Sequence, residues 1–251
     1  MTDFANILFG GPCNRRCPFC IGQQLPWAVR QDNLDRFPPT NLGSLIEAVN
    51  RLGVRQIVFT GTTTDPQLYR HESRLLELLR REVVTGASYS LHSNGALALK
   101  KMEVFNQYDK ACLSLPSFNR DTYQRMMGAN TKVPDLAKIL ERSTIPVKIS
   151  CIINEHNAHE LESFLAQCQR LGVERVVLRR LLGETRLWQV PRLRPVRFYR
   201  GNPVYDLKGM EVTCWSFEET SSTSLNLFPD GTLTDDYLLT RVGETLVRAA
   251  G

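Results

Sequence analysis

The chain has 251 residues, of which 42% are hydrophobic and 23% charged, and its formal net charge is +5. These ordinary globular proportions exclude low-complexity, collagen-like and intrinsically disordered proteins. The modest positive charge suits an acidic or phosphate-bearing partner and does not require nucleic acid. No apolar run approaches the ~18 residues of a membrane-spanning helix, and the N-terminus lacks the basic and apolar regions of a secretion signal. We therefore expect no membrane partner.

Short apolar runs alternate with amphipathic patterns through the first 182 residues. Strands are predicted at 6–10, 56–60, 88–92, 110–115, 147–153 and 175–179, and helices at 41–52, 72–83, 96–104, 119–127, 133–141 and 160–171. Strands that alternate with helices imply parallel pairing through right-handed crossovers. A doubly wound sheet and a partial barrel both fit this pattern, and periodicity does not decide between them.

The alternation stops after residue 182. Residues 186–200 are rich in arginine, proline and aromatic residues and are predicted to form a loop or an extended excursion. Two apolar runs at 224–228 and 232–234 flank Pro229-Asp230-Gly231, which predicts a β-hairpin. We expect a core of residues 1–182 and an extension of residues 183–251 within one globular unit.

Three of the seven cysteines, Cys13, Cys17 and Cys20, have the spacing C-x3-C-x2-C. A structural zinc site closes a tetrahedron, and this loop offers no fourth ligand nearby. A [4Fe–4S] cluster normally takes four thiolates, so a loop with three leaves one iron open to a small molecule. A zinc knuckle with a distant His or Asp as fourth ligand is the alternative. The other four cysteines are scattered, which favours a reducing cytoplasm over a disulfide framework.

With the aromatic residue Phe19 just before the last cysteine, this run resembles the signature of radical S-adenosylmethionine (SAM) enzymes. The resemblance implies one [4Fe–4S] cluster on Cys13, Cys17 and Cys20, with SAM bound to the open iron. It implies reductive cleavage of SAM to methionine and a 5′-deoxyadenosyl radical that abstracts hydrogen from a substrate. An external flavodoxin- or ferredoxin-like electron donor is expected. The implied fold is α/β, a partial (β/α)6 TIM-like barrel with a short C-terminal extension that contains the β-hairpin.

Polar residues follow the predicted strands, where the ligands of parallel α/β sheets gather. Residues 60–66 stand where the family often has Gly-Gly-Glu-Pro, and Asp65 with the threonine hydroxyls can accept from an ammonium group. An ordinary polar loop is the alternative there, as a plain turn is for Ser93-Asn94-Gly95. The resemblance implies that SAM contacts Phe19, Gly61, Thr62, Thr63, Thr64, Asp65, Ser93, Asn94, Ser114, Asn154 and, through its backbone, Leu178.

The hairpin is similar to one in the molybdenum-cofactor GTP cyclase subgroup, where cysteines that flank it hold a second cluster. Here only Cys214 lies upstream, so a single cluster is expected, as in a peptide-maturase-like enzyme without an auxiliary cluster. Some family members use a late cysteine to return a hydrogen atom to a substrate radical, as epimerases do. Cys214 is the candidate for that catalytic role, and a buried structural cysteine is the alternative.

Arginines after the sixth predicted strand suggest an anionic substrate. Arg179, Arg180 and Arg186 are the candidate substrate contacts, because guanidinium groups suit carboxylates and phosphates. The substrate is then a small molecule, such as a nucleotide, or a peptide. A basic surface loop, or a non-catalytic metal-bearing module that binds nucleic acid, is the alternative, although six strand–helix units favour the enzyme.

Overall fold

Eleven strands form a single sheet in this computed structural model, which describes residues 2–186 and 194–236. The strands are β1 Phe4–Phe9, β2 Gln56–Gly61, β3 Ser88–Ser93, β4 Lys110–Ser114, β5 Val147–Ile153, β6 Arg175–Arg180, β7 Arg197–Tyr199, β8 Asn202–Leu207, β9 Met210–Trp215, β10 Ser224–Leu227 and β11 Leu233–Thr234. The α-helices are α1 Leu42–Leu52, α2 Glu72–Glu82, α3 Met102–Phe105, α4 Arg120–Met127, α5 Leu136–Arg142 and α6 Leu161–Arg170.

The strand order is β11-β10-β1-β2-β3-β4-β5-β6-β9-β8-β7. Strands β1 to β6 pair in parallel with their sequence neighbours, and the ends of this series pair in parallel with β10 and β9. The sheet does not close on itself. The fold is therefore a partial TIM-like barrel, which confirms the expected α/β class.

The helices pack on one face of the sheet. In α1 the residues Leu42, Leu45 and Val49 are buried at helical spacing, and Gly53 ends the helix in the left-handed conformation at φ 66°. Alternate strand residues such as Ile7 and Phe59 complete the same core, which forms one contiguous apolar cluster. Each such side chain contributes about 1.5–3 kcal/mol when buried, so this face holds the fold together.

The opposite face of the sheet, called the open face below, is unusually polar. Because side chains alternate along a strand, residues one position away from the core face point to it. It carries Asn6, Thr60, Ser90, His92, Lys110, Cys112, Ser114, Lys148, Ser150, Arg179 and Trp215. A small apolar group of Leu8, Leu25, Val29 and Phe228 covers part of it beside β1 and β10.

The C-terminal extension adds strands to both edges of the sheet. The predicted hairpin is confirmed, because β10 and β11 pair antiparallel. The strands β8 and β9 were not expected from the sequence, and Lys208 and Gly209, both with positive φ, join them in a tight turn. Within the predicted excursion at 186–200, Arg197–Tyr199 forms β7, and residues 187–193 lie outside the described residues.

The predicted helix at 96–104 is shorter than expected, since only Met102–Phe105 is α-helical. Asn94 Oδ1 accepts a hydrogen bond from the backbone N–H of Ala96, and Gly95 has φ 74°. This turn directs the chain away from a regular helix start. No helix in the described part of the chain is long and apolar enough to cross a membrane.

Candidate active site

The three-cysteine loop follows β1 directly and lies at the edge of the sheet where the parallel strands end. Cys13, Cys17 and Cys20 are half-buried free thiols, and the backbone N–H of Cys20 donates to the carbonyl of Cys17 at 3.1 Å. The polar residues after β2 and β3 reach the same edge. The structure thus brings the predicted cluster ligands beside most of the predicted SAM residues.

Each thiol of the loop has its own surroundings. Cys17 Sγ lies 3.7 Å from Met127 Sδ, and Cys20 Sγ lies 3.9 Å from the carbonyl oxygen of Thr62. Burial, together with the neighbouring Cys20 and Cys13 sulfurs, raises the pKa of Cys17 to about 12. Within the described residues, no three His, Cys, Asp or Glu side chains converge on one metal ion. The donor set fits a group that brings positive charge to each sulfur separately, as the irons of a cluster do.

The threonines after β2 hold the cysteine loop in place. Thr62 Oγ1 donates to the carbonyl of Phe9 at 3.0 Å, and Thr63 Oγ1 donates to that of Gly11 at 3.2 Å. Thr64 Oγ1 donates to the carbonyl of Pro12 at 2.6 Å. The protons of these hydroxyls thus serve three carbonyls that precede Cys13, at the end of β1 and in the loop. Because each hydroxyl oxygen keeps lone pairs, the expectation that these groups accept from SAM stays a prediction. This threonine ladder, Thr62 to Thr64, fixes the approach to the first cluster ligand.

The loop also returns tightly against the threonine ladder. A Cβ atom added to Gly22 would lie 1.8 Å from the carbonyl oxygen of Thr62, so a side chain there requires the backbone to move. At the other end of the loop, the backbone N–H of Arg16 donates to the carbonyl of Met127 at 3.0 Å. Gly128, with φ 108°, permits this approach by the end of α4.

Asp65 is a buried link between the ends of β2 and β3. Its carboxylate accepts from the backbone N–H of Gln67 at 2.9 Å and of Asn94 at 2.6 Å, and from Ser93 Oγ at 3.0 Å. The side chain is 3% exposed. Burial raises the pKa of Asp65, and the hydrogen bonds from Asn94, Gln67 and Ser93 oppose that rise. The carboxylate thus positions the neighbouring backbone, and its contact with SAM stays a prediction.

Asn14, a residue that the sequence did not single out, joins the cysteine loop to β3. Asn94 Nδ2 donates to Asn14 Oδ1 at 2.7 Å, and the same oxygen lies 3.7 Å from Cys13 Sγ. Next to it, Arg15 Nε donates to the hydroxyl of Tyr123 at 3.2 Å. In the sequence, the only sign that Asn14 and Arg15 have a role was their position between two cysteines. Their partners lie far along the chain, so no local pattern shows these contacts.

The remaining predicted SAM residues differ in their exposure. Ser114 is exposed on the open face at the end of β4. Asn154 is buried, and its Oδ1 accepts from the backbone N–H of His156, so it shapes the loop after β5. Phe19 packs partly buried against the main core, and the Leu178 side chain is buried there at 2% exposure. The Leu178 side chain is therefore closed to a ligand on the open face. The contact of SAM with its backbone, which lies between β5 and β9, stays a prediction.

Cys214 does not reach the candidate site. Its register partner on β6 is Leu178, which points into the helix-covered core, and Cys214 packs against the same core. Burial raises the pKa of its thiol to about 12. The structure therefore places this thiol on the face opposite to the open face, which favours the alternative of a structural cysteine.

The three candidate arginines lie in different environments. Arg179 is on the open face, where its Nε donates to Ser150 Oγ at 2.9 Å. Arg180 pairs with Glu218 at 3.5 Å and Glu219 at 3.6 Å. Arg186 pairs with Glu184 at 2.5 Å and with Glu155 at 3.1 Å. Arg180 and Arg186 are thus already matched by carboxylates, and Arg179 is the one that the structure brings to the open face.

Comparison with known protein families identifies the scaffold. The model of the radical SAM superfamily matches residues 7–168, which include the second half of β1, the three cysteines and all of β2 to β5. This is more than half of the chain. No curated protein matches the chain.

Solved structures with a similar fold include SuiB of Streptococcus suis bound to S-adenosylmethionine, with a TM-score of 0.56, 16% identity and 75% of this chain covered. SuiB bound to the precursor peptide SuiA gives a TM-score of 0.55 at 17% identity over 72% of this chain. The structure of anSMEcpe with AdoMet and the Cp18Cys peptide gives a TM-score of 0.52 at 16% identity over 76% of this chain. The matched part is 43% of SuiB in the first structure, 40% of SuiB in the second and 54% of anSMEcpe, so this chain spans about half the length of these proteins or less. At these identities the likeness concerns the fold.

Proposed function

The chain belongs to the radical SAM superfamily, and we propose that Cys13, Cys17 and Cys20 hold a single [4Fe–4S] cluster at which SAM is cleaved. When bound, the cluster and SAM supply the chemistry, reductive cleavage to methionine and a 5′-deoxyadenosyl radical that abstracts hydrogen from a substrate. The observation that carries the proposal is the three-thiol loop, fixed by the threonine ladder at the edge where the parallel strands end.

The residues of this chain position both ligands. The threonine ladder and the Asn14–Asn94 hydrogen bond hold the loop, and Asp65 fixes the backbone between β2 and β3. We propose that SAM lies along this edge, where Ser114 presents an exposed hydroxyl that can donate to its carboxylate. Free carbonyls after β2 then accept from its ammonium group, and the backbone of β6 near Leu178 lines the adenine.

Several features support a peptide as the substrate. The fold is shared with SuiB, solved with its precursor peptide SuiA, and with anSMEcpe, solved with a peptide. The open face carries polar and charged side chains on the neighbouring strands β4, β5 and β6, which an extended chain laid across the sheet can contact. A nucleotide-like small molecule is the second candidate, and the cationic residues of the open face favour an anionic group in either case.

The proposal includes an external electron donor of the flavodoxin or ferredoxin type and a reducing compartment such as the cytoplasm. Three of the cysteines outside the loop, Cys112, Cys151 and Cys168, are buried free thiols, which suits that compartment. No second cluster is included, because Cys214 packs into the helix-covered core.

Iron and sulfide analysis tests the cluster directly. After anaerobic reconstitution we expect about four irons per chain. Replacement of Cys13, Cys17 or Cys20 by Ala should abolish the visible absorption of the cluster, whereas Cys168→Ala, a matched change of a buried thiol, should leave it intact. About eight irons per chain, or a cluster retained by Cys17→Ala, contradicts the proposal.

A further inference from the structure

A row of polar side chains on the open face brings a lysine near a histidine of a nearby strand. His92 on β3 pairs in register with Cys112 on β4, which pairs with Lys148 on β5. Neighbouring strands lie about 4.8 Å apart, so the α-carbons of His92 and Lys148 are about 10 Å apart. Both side chains point to the same face, and a lysine side chain can span most of that gap.

Lys148 is a cationic side chain for which no counter-charge lies among the described residues. It is half-buried, and within the described part of the chain it has neither a hydrogen-bond acceptor nor an ion-pair partner. The neighbouring Lys110 donates to Gln56 Oε1 at 3.0 Å. Glu211, at the far end of this row, already pairs with Arg175 and Arg197. Half-buried charges are normally paired. The position of Lys148 therefore favours an anionic partner that the described residues do not supply.

Arg179 presents a guanidinium to the same face of the sheet, at Ser150, which lies two residues along β5 from Lys148. Its Nε is held by Ser150, and its guanidinium carbon lies 4.4 Å from the centroid of the Trp215 ring. Its two terminal nitrogens have no acceptor within residues 2–186 and 194–236. The stacked ring and the Nε bond restrict the side chain, which leaves an ordered donor fork suited to an oxyanion.

The electrostatics of His92 report the same excess of positive charge. Burial lowers the pKa of His92 well below its usual range, and the charges of Lys148, Arg179 and Lys110 lower it further. These three side chains therefore act on one small region of the open face. A negative group there would be attracted by Lys148 and Arg179, which have no ion-pair partner among the described residues. In a partly buried setting such attraction is stronger than in water.

We propose that the open face contains an oxyanion site in which Arg179 and Lys148, beside His92, bind a carboxylate or phosphate group of the substrate. The inference rests on the proposed function, because it assigns this site to the substrate of the same open face. Arg179 and Lys148 then recognise the anion, in place of Arg180 and Arg186, which already pair with carboxylates. The ligand class is a peptide that carries a carboxylate or a small molecule that carries a phosphate.

Isothermal titration calorimetry of the full chain with inorganic phosphate and with glutarate, at constant ionic strength, tests the site. We expect saturable binding of at least one probe, weakened about tenfold or more in Lys148→Met and in Arg179→Gln, which corresponds to about 1.4 kcal/mol. Lys148→Arg, which retains the charge, should retain binding. Lys138→Met, a change of an exposed lysine on α5, should bind as the wild type does.

Tighter binding of glutarate supports a carboxylate-bearing peptide, and tighter binding of phosphate supports a phosphorylated small molecule. Equal binding by the wild type and a Lys148→Met protein with an unchanged circular dichroism spectrum overturns the site, as does the absence of binding of both probes. Measurement before cluster reconstitution separates the two proposals. Anion binding can then fail while the cluster forms, or persist when the cluster does not.

Discussion

Asn94 Nδ2 donates a 2.7 Å hydrogen bond to Asn14 Oδ1, which ties the end of β3 to the cysteine loop 80 positions earlier in the chain. The other side of the Asn94 amide accepts from the backbone N–H of Ala96, and its own backbone N–H donates to Asp65. One residue therefore connects the loop, the turn after β3 and the junction with β2.

Asn94→Ala should lower the iron content after reconstitution, because the cysteine loop loses its tie to β3. It should also lower the free energy of unfolding by about 1–3 kcal/mol, since two hydrogen bonds are lost. Asn50→Ala is the matched control. Asn50 also makes two loop contacts, to the carbonyl of Glu82 and the N–H of Val84, far from the site. Equal iron contents in the two variants would show that the tie does not serve the cluster loop.

Thr64→Val should weaken the loop without a large change of shape. It removes the 2.6 Å donor of the Pro12 carbonyl, at a cost of about 1–2 kcal/mol in unfolding free energy. Thr85→Val removes a similar 2.7 Å hydrogen bond to the carbonyl of Val54 and serves as the control. Urea unfolding should give comparable losses for both, and only Thr64→Val should slow cluster assembly. If the cluster assembles in Thr64→Val as fast as in the wild type, the threonine ladder does not assist cluster assembly.

His92 should make stability depend on pH below 6.5. Its pKa is depressed in the folded chain, so the unfolded chain takes up a proton near pH 6.5 while the folded chain does not. Stability is then fully present above pH 6.5 and falls by about 1.4 kcal/mol per pH unit below it, until the folded pKa is reached. The charged or titratable groups that face it are Lys110, Cys112, Lys148 and Arg179.

Urea unfolding in Bis-Tris buffers between pH 7 and 5, without phosphate or carboxylates, measures this slope. His92→Gln should unfold with a shallower dependence on pH than the wild type. His159→Gln, a change of a side chain that is 69% exposed, should keep the wild-type slope. Parallel curves for the wild type and His92→Gln contradict the assignment.

The sequence predicted the parallel core and the cysteine loop because both depend on local patterns. The 3.6-residue stripe of α1 and its closing Gly53 are examples, and the observed bounds differ by a single residue from the prediction. The same holds for β5, which spans Val147–Ile153 as predicted. For such segments, burial and local propensity favour the same structure.

The sequence did not predict contacts that join distant positions. The roles of Thr62 to Thr64 depend on carbonyls about 52 positions away, and the face taken by Cys214 depends on its register with Leu178. A single-residue shift of register would reverse that face, so no local pattern determines it. The Lys208-Gly209 turn, with both φ values positive, was a local signal that the sequence reading missed.

Cys214→Ala should leave SAM cleavage and product formation within about twofold of the wild type, since the thiol faces the core. Removal of one sulfur from this partly buried position should cost about 1 kcal/mol of stability. Product analysis by mass spectrometry measures the outcome once a substrate is in hand, and 5′-deoxyadenosine yield measures it before then. Loss of product with normal cleavage of SAM would restore Cys214 as a hydrogen donor.

The most direct test of the cluster-and-SAM proposal is the formation of 5′-deoxyadenosine under anaerobic conditions. The chain is reconstituted with iron and sulfide, reduced with dithionite, supplied with SAM and analysed by mass spectrometry. We predict that the wild type and Cys214→Ala form 5′-deoxyadenosine and that Cys17→Ala forms none above background. A fully loaded cluster that never cleaves SAM, or cleavage that persists in Cys17→Ala, would contradict the proposal.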